Sequence, residues 1–159
     1  MKNIVWSIFT SIFITSISWA QSTKELPATA LATFDGKTTS IKEEVKKNKI
    51  TVLVFWAMWN NPSVNELSIL NTKTTVPVYA VSVDAKDKET QVLPFAQSKG
   101  WKFKFLFDPN KDFFRGVGGT FPPMIYIVNA EGKVLWEKQG FVEADESIIL
   151  AKITELQGK

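Results

Sequence analysis

The sequence predicts an α/β fold in which helices flank a central mixed β-sheet, and three observations support this class. Residues 52–55 form a continuous apolar run rich in β-branched side chains, which is typical of a strand buried on both faces. Asn60-Asn61-Pro62 follows and favours a helix start, because Asn is a good N-cap and Pro suits the first turn. Residues 64–70 then carry apolar side chains at helical spacing. The helix therefore begins at the carboxyl end of the strand, where open α/β sheets place functional sites.

Length and composition favour one domain with a substantial core. The chain has 159 residues, of which 45% are hydrophobic and 13% aromatic, so neither several domains nor disorder is expected. The formal net charge is only +3, and no basic cluster stands out. We interpret Lys46-Lys47 and the Lys102/Lys104 pair as solvated faces. No nucleic-acid partner is expected from this charge pattern.

Two residue types are absent from the chain, which contains no Cys and no His. Without Cys it can form no disulfide, no thiolate nucleophile and no thiolate metal site. Without His it lacks His-based catalytic triads and His-ligated metals. We therefore expect no cofactor, no metal site and no catalytic residue.

The first 20 residues have the features of a signal peptide. Lys2 supplies the positive charge, residues 4–17 are largely apolar, and Ser18-Trp19-Ala20 is a cleavage signal. The apolar stretch is short for a bilayer, which needs about 20 residues, and no Cys is present for a lipid anchor. We expect residues 1–20 to be removed and residues 21–159 to form an exported domain, periplasmic or secreted, with no membrane span.

Elements before the central strand are short. Residues 21–28 are polar and contain a Pro, so a flexible lead-in is expected. Two short strands, residues 29–34 and 38–41, flank the turn dipeptide Asp35-Gly36. Residues 41–47 then predict one or two helical turns.

After the first helix we predict a polar loop at 71–75 and a second buried strand at 76–83. Residues 86–100 predict a helix that ends at Gly100, while Pro94 indicates a kink or a later start. The two buried strands are expected to be central and parallel, because βαβ crossovers are right-handed.

The last third of the chain predicts strands that alternate with turns, before a closing helix. The expected elements are a strand at 103–107, a turn at 108–110, a short helix at 112–115, a strand at 124–128, a hairpin turn at 129–133, a strand at 134–137 and an amphipathic helix at 147–156. The hairpin is expected on one side of the central strands.

The stretch F-W-A-M-W-N-N-P-S-V-N-E, residues 55–66, resembles the thioredoxin family, most closely its secreted TlpA-like branch. That branch reads F-W-A-x-W-C-x-P-C, followed three residues later by Glu. Asn60 and Ser63 stand where its two cysteines should be, whereas other positions match: Phe55, Trp56, Ala57, Trp59, Pro62 and Glu66. The resemblance implies a thioredoxin fold and descent from thiol–disulfide oxidoreductases whose CxxC motif is degenerate here.

A second segment carries the same resemblance. G-G-T-F-P-P-M-I-Y-I-V-N-A-E-G-K, residues 118–133, is similar to the family's g-x-P-t-x-f-l-i-D-x-x-G-k, and this places its cis-proline at Pro123. Pro122 then occupies the position whose backbone N–H and C=O pair with extended substrates in the family. Proline has no N–H, so this mode of binding should be weakened.

Several other residues have side chains that occur in functional sites, but we expect structural roles for them. Ser63 has a hydroxyl but no base to activate it, and it is expected to fill the space of a Cys. Glu66 is interpreted as a helix-surface or helix-start residue, and Asp84 as a cap of the following helix. The glycines of residues 116–119 follow a helix and precede a strand, the reverse of the order in a phosphate-binding loop.

The leading hypothesis is a redox-inactive thioredoxin-fold protein that binds a peptide or protein partner. The predicted groove lies between Trp59-Asn60-Asn61 and Phe121-Pro122-Pro123, and Trp56 is assigned to the core. The full set of predicted binding residues is Trp59, Asn61, Pro62, Phe121, Pro122, Pro123 and Met124. The alternatives are an enzyme, either an oxidoreductase by ancestry or a different activity in the same cleft, and a structural domain of an envelope complex. A peroxidase is disfavoured because its reactive Cys is also missing.

Overall fold

A seven-stranded mixed sheet organises residues 24–158, the part of the chain that the computed structural model describes. The strands are β1 Leu31–Ala32, β2 Thr38–Thr39, β3 Ile50–Trp56, β4 Val78–Ser82, β5 Lys104–Phe107, β6 Met124–Asn129 and β7 Val134–Gln139. The α-helices of this part are α1 Ile41–Val45, α2 Asn61–Lys73, α3 Glu89–Ser98, α4 Asp112–Gly116 and α5 Asp145–Gln157. The predicted signal peptide lies outside the described residues.

Strand β3 lies in the interior of the sheet, beside the middle strand β4, and the strand order is β2-β1-β5-β4-β3-β6-β7. It pairs in parallel with β4 and antiparallel with β6, and every one of its residues is buried. Strands β6 and β7 form the predicted hairpin on one side. The predicted α/β class, a mixed sheet flanked by helices, is confirmed.

Each face of the sheet has its own hydrophobic core. Helices α2, α3 and α5 cover one face, where their apolar residues pack around Val54 and Trp56. Helices α1 and α4 cover the other face, where Phe113 and Phe114 pack around Phe55. The alternation of side chains along β3 thus fixes both layers at once, because successive residues of a strand point to opposite faces.

Helix α2 ends later than predicted, and helix α3 begins later. Helix α2 continues to Lys73, through part of the predicted polar loop, because Asn71 accepts a hydrogen bond from the Lys102 N–H at 2.8 Å and Thr72 Oγ1 donates to the Ile69 carbonyl at 3.1 Å. Helix α3 begins at Glu89, after one 3₁₀ turn, and contains Pro94 rather than starting there.

The lead-in is not free where the structure describes it. Leu26 is buried, and its N–H donates to the Gly132 carbonyl at 2.9 Å. The Val134 N–H donates to the Lys24 carbonyl at 2.8 Å, and Glu25 bridges Lys133 in antiparallel fashion. The prediction of a flexible lead-in is therefore wrong for residues 24–26, because they pair with the start of the edge strand β7.

Among the described residues, no helix combines the length and apolar character that crossing a membrane requires.

Candidate functional site

The site predicted from the sequence lies at the connection between the end of β3 and the start of α2. Asn60 is the N-cap of α2, and its Oδ1 accepts hydrogen bonds from the Ser63 N–H at 2.9 Å and from Ser63 Oγ at 2.7 Å. Its Nδ2 donates to the Pro122 carbonyl at 3.2 Å. One amide side chain thus caps the helix and ties it to the proline loop, which satisfies polar groups that would otherwise face the site.

Ser63 is fully buried at the position of the second cysteine. Its hydroxyl proton is donated to Asn60, and the sequence contains no His that could act as a base. An unactivated serine hydroxyl is a weak nucleophile. The arrangement therefore gives Ser63 a structural role.

The proline loop lies directly against this cap. The peptide bond between Pro122 and Pro123 is cis, the form that the sequence predicts for it. Pro122 and Pro123 are both buried, and so is Met124. Met124 opens β6 opposite Phe55 and packs in the core beneath α1 and α4, so the expectation that it contributes to an exposed contact surface is wrong.

Two aromatic side chains project from the site into solvent. Trp59 is 62% exposed and Phe121 is 51% exposed, and their ring centroids are 6.5 Å apart. Asn61 and Pro62 are exposed beside them. We call these four residues the aromatic surface. The Asn60–Pro122 hydrogen bond links the two walls of the predicted groove, so the exposed features here are side chains rather than open backbone.

Glu66 is another candidate whose predicted position, at the helix surface or start, is wrong. It is 1% exposed, and neither carboxyl oxygen has a hydrogen-bond partner among the described residues. Burial raises the pKa of Glu66 to about 8, because desolvation and the nearby Asp145 outweigh the opposing effect of Lys138. The carboxyl group is therefore mainly protonated at neutral pH.

The signal for the burial of Glu66 is present in the sequence. The buried residues of α2 are Ser63, Glu66, Leu67 and Leu70, which follow the i, i+3, i+4, i+7 spacing of one helix face. The charge of Glu66 favours a surface position, whereas its spacing on this helix face favours the core. The structure follows the spacing.

Asp84 has a different partner from the predicted one. Its carboxylate accepts hydrogen bonds from the Met58 N–H at 3.1 and 3.2 Å and from Ser82 Oγ at 2.8 Å. The following 3₁₀ turn begins at Lys86, and its N-cap residue is Ala85, which makes no side-chain cap. The prediction that Asp84 caps the next helix is wrong. Its carboxylate instead accepts from the Met58 N–H, which lies just after the neighbouring strand β3.

No group of three or more potential ligand side chains within residues 24–158 is arranged to hold a metal ion.

Comparison with known proteins places this geometry in a family. The sequence profile described as the AhpC/TSA family matches residues 23–137, which is most of the chain. The chain belongs to this family. A curated relative, thiol-disulfide oxidoreductase ResA from Bacillus thuringiensis subsp. konkukian, is 25% identical over 123 residues, which cover 74% of this chain and 69% of ResA.

Solved structures show the same fold for this AhpC/TSA family chain. A candidate thiol:disulfide interchange protein DsbE from Chlorobium tepidum is 25% identical with a TM-score of 0.73, over 84% of this chain and 96% of that one. An uncharacterized thioredoxin-like protein from Porphyromonas gingivalis is 28% identical with a TM-score of 0.68, over 84% and 92% of the two chains. The resemblance to thioredoxin-like proteins is confirmed.

This member of the family differs from its relatives' chemistry in one respect. Its relatives include a protein named as a thiol-disulfide oxidoreductase, whereas this chain contains no cysteine. Thiol–disulfide exchange requires an attacking thiolate. The chain therefore cannot carry out that reaction with side chains of its own.

Proposed function

We propose that this chain is a redox-inactive, exported thioredoxin-like protein that binds a peptide or protein partner through the aromatic surface. The observation that carries the proposal is the exposed Trp59–Phe121 pair, seated over an internally hydrogen-bonded Asn60–Pro122 link. Tryptophan is enriched at the energetic centres of protein interfaces, where large rings lose water on binding.

Backbone pairing contributes less in this proposal than it does in the family's usual binding mode. Pro122 has no N–H to donate, and its carbonyl already accepts from Asn60. An extended peptide would thus lose one main-chain hydrogen bond and share the acceptor of the other. Affinity should instead come from the rings of Trp59 and Phe121, with Asn61 and Pro62 at the rim.

Export is the second part of the proposal. It rests on the charged, apolar and small-residue segments of residues 1–20, which match the three regions of a signal peptide. Residues 21–159 then form the exported domain. The partner belongs to the cell envelope or the exterior in this proposal.

The test is site-specific photocrosslinking of the full chain in an envelope extract. A photoreactive phenylalanine replaces Trp59 or Phe121 in turn, and the matched control replaces Ile148, which is 52% exposed on α5. We expect positions 59 and 121 to capture the same species, with no such product at position 148. Equal capture from all three positions, or from none, would contradict the proposed surface.

An insulin-reduction assay tests the redox-inactive part of the proposal. The purified native protein should give no turbidity above a protein-free control, because it contains no thiol. Any clear rate would favour the enzyme alternative instead.

A further inference from the structure

A pocket lies at the end of the sheet where β4 and β5 begin, opposite the end that carries the aromatic surface. Its volume is about 500 Å³, within the range of about 300–1,000 Å³ that is usual for small-molecule sites. Leu70, Val76 and Val78 are buried residues of its lining, and Phe103 is a partly buried one. An apolar group of a ligand could therefore lose its water here.

Three lysines line this pocket although they are distant in sequence. Lys47 follows α1, whereas Lys102 lies two residues before β5 and Lys104 is its first residue. The sequence pattern indicates two separate solvated faces, whereas the fold brings the three lysines to one pocket. We call this region the basic pocket.

A single carboxylate holds two of the lysines in position. Lys47 Nζ donates to Glu44 Oε1 at 2.8 Å, and Lys104 Nζ donates to Glu44 Oε2 at 3.2 Å and to Tyr79 Oη at 3.1 Å. The hydrogen bonds from Lys47 and Tyr79 lower the pKa of Glu44 to about 2, so this carboxylate stays ionised. One negative charge thus fixes two ammonium groups and leaves one positive charge uncompensated.

Lys102 adds a further positive charge. Its backbone is fixed, because its N–H donates to Asn71 Oδ1 at 2.8 Å, while Asn71 Nδ2 donates to the Gly100 carbonyl at 3.3 Å. In the described part of the chain its ammonium group makes no ion pair. Three lysines and the single carboxylate of Glu44 therefore give the basic pocket a formal net charge of about +2.

We propose that the basic pocket binds a phosphate monoester whose phosphate contacts Lys102 and Lys104 and whose apolar body lies against Phe103 and Val76. A phosphate monoester carries close to two negative charges at neutral pH, which matches the charge of the pocket. Lysine serves phosphate as a point charge, and hydrogen bonds between ionised groups are the strong ones. The ester could be a soluble molecule or a lipid headgroup, and this site is independent of the aromatic surface.

Calorimetric titration of the full chain with phenyl phosphate tests the proposal. We expect saturable binding that weakens about ten-fold or more in the double variant Lys102→Gln, Lys104→Gln, because two charge-assisted hydrogen bonds are lost. The control Lys88→Gln, Lys111→Gln removes the same charge beyond the other ends of β4 and β5, and its affinity should stay within about two-fold of native. Inorganic phosphate should bind more weakly, since it lacks the apolar body.

A vesicle arm separates the two sources of the ester. Phosphatidylcholine vesicles with and without phosphatidic acid are mixed with the native chain and both double variants, and bound protein is measured by sedimentation. Capture that needs phosphatidic acid and is lost only in the Lys102/Lys104 variant supports a lipid headgroup, whereas phenyl phosphate binding alone supports a soluble ester. The absence of saturable phenyl phosphate binding, or equal affinity in the native chain and the Lys102/Lys104 variant, would overturn the proposal.

Discussion

At the scale of single residues, Glu66 links the stability of the fold to pH. A buried carboxyl group without hydrogen-bond partners resists ionisation, and its pKa is raised from 4.5 to about 8. In the unfolded chain the same group ionises near its ordinary value. Between these two values the folded protein must hold a proton that the unfolded chain has released.

The prediction concerns the pH dependence of unfolding. The stabilising contribution of neutral Glu66 is complete below pH 4.5 and is lost as pH rises to about 8. Within this window each pH unit should lower the free energy of unfolding by about 1.4 kcal/mol. Glu66→Gln should remove this part of the slope, because glutamine does not titrate. Urea unfolding at four pH values between 5 and 8 measures it.

Glu131→Gln is the matched control for this experiment. Glu131 is exposed in the turn between β6 and β7, so its replacement should leave the slope unchanged. If Glu66→Gln and the native chain lose stability with pH in parallel, the carboxyl of Glu66 is not the group responsible.

At the scale of elements, the segment between α4 and β6 illustrates what a glycine-rich motif does here. Gly119 donates its N–H to the Phe114 carbonyl at 2.8 Å, and a Cβ built at Gly119 would lie 2.1 Å from the Phe114 ring. That ring is buried, with its centroid 4.9 Å from that of Phe55. The glycine is therefore needed for close packing.

Gly119→Ala should destabilise the fold, because the new methyl group would overlap the buried Phe114 ring and force it to shift within the core. Overpacking of a well-packed core costs about 1–3 kcal/mol, and the loss should appear as a lower urea midpoint. The control is Gly158→Ala, where the added Cβ would make only ordinary contacts at 3.7 Å. Equal midpoints for the two variants would show that the loop relaxes around the new methyl group.

The elements also show which local patterns are sufficient. Strands β3, β4 and β6 are predictable from local sequence, because a short uninterrupted apolar run is typical of a strand that is buried on both faces. The end of α2 and the docking of Leu26 are not, because they depend on partners far along the chain: Asn71 on Lys102, and Leu26 on Gly132. Their local composition predicts loops, whereas hydrogen bonds to distant residues hold these segments in place.

The candidate site divides in the same way. The cap at Asn60 follows from local rules, and the position of the cis-proline follows from the resemblance. The burial of Met124 and the assembly of the basic pocket depend on strand pairing between distant segments. Pairing register and long-range charge clusters are properties of the assembled sheet, so one strand or one lysine pair alone does not reveal them.

At the scale of the whole molecule, the fold retains the frame that would hold the family's reactive thiols, although the thiols themselves are absent. This frame is a helix N-terminus at the end of a central strand. Helix α2 still begins at the carboxyl end of β3 with Pro62 in its first turn, and the Ser63 N–H still points at the side chain of residue 60. A thiolate at position 60 would accept that N–H and lie at the positive end of the helix dipole. The frame therefore predicts that thiol chemistry can be restored.

The double variant Asn60→Cys, Ser63→Cys should form a disulfide and reduce insulin, which the native chain should not do. The thiol at position 60 should titrate below the ordinary value of about 8.5, because the helix N-terminus stabilises the thiolate. Iodoacetamide alkylation rates against pH give this pKa. The variant also removes the Asn60–Pro122 hydrogen bond, so the Pro122 carbonyl becomes free to accept from a substrate. Adding Pro122→Thr should then raise turnover further, because a backbone N–H is regained.

The control Asn61→Cys, Ser63→Cys has two thiols at i, i+2, which do not face each other on a helix, and it should neither pair nor turn over insulin. If the thiols at positions 60 and 63 both titrate like free cysteine and never pair, the frame has lost the geometry along with the cysteines.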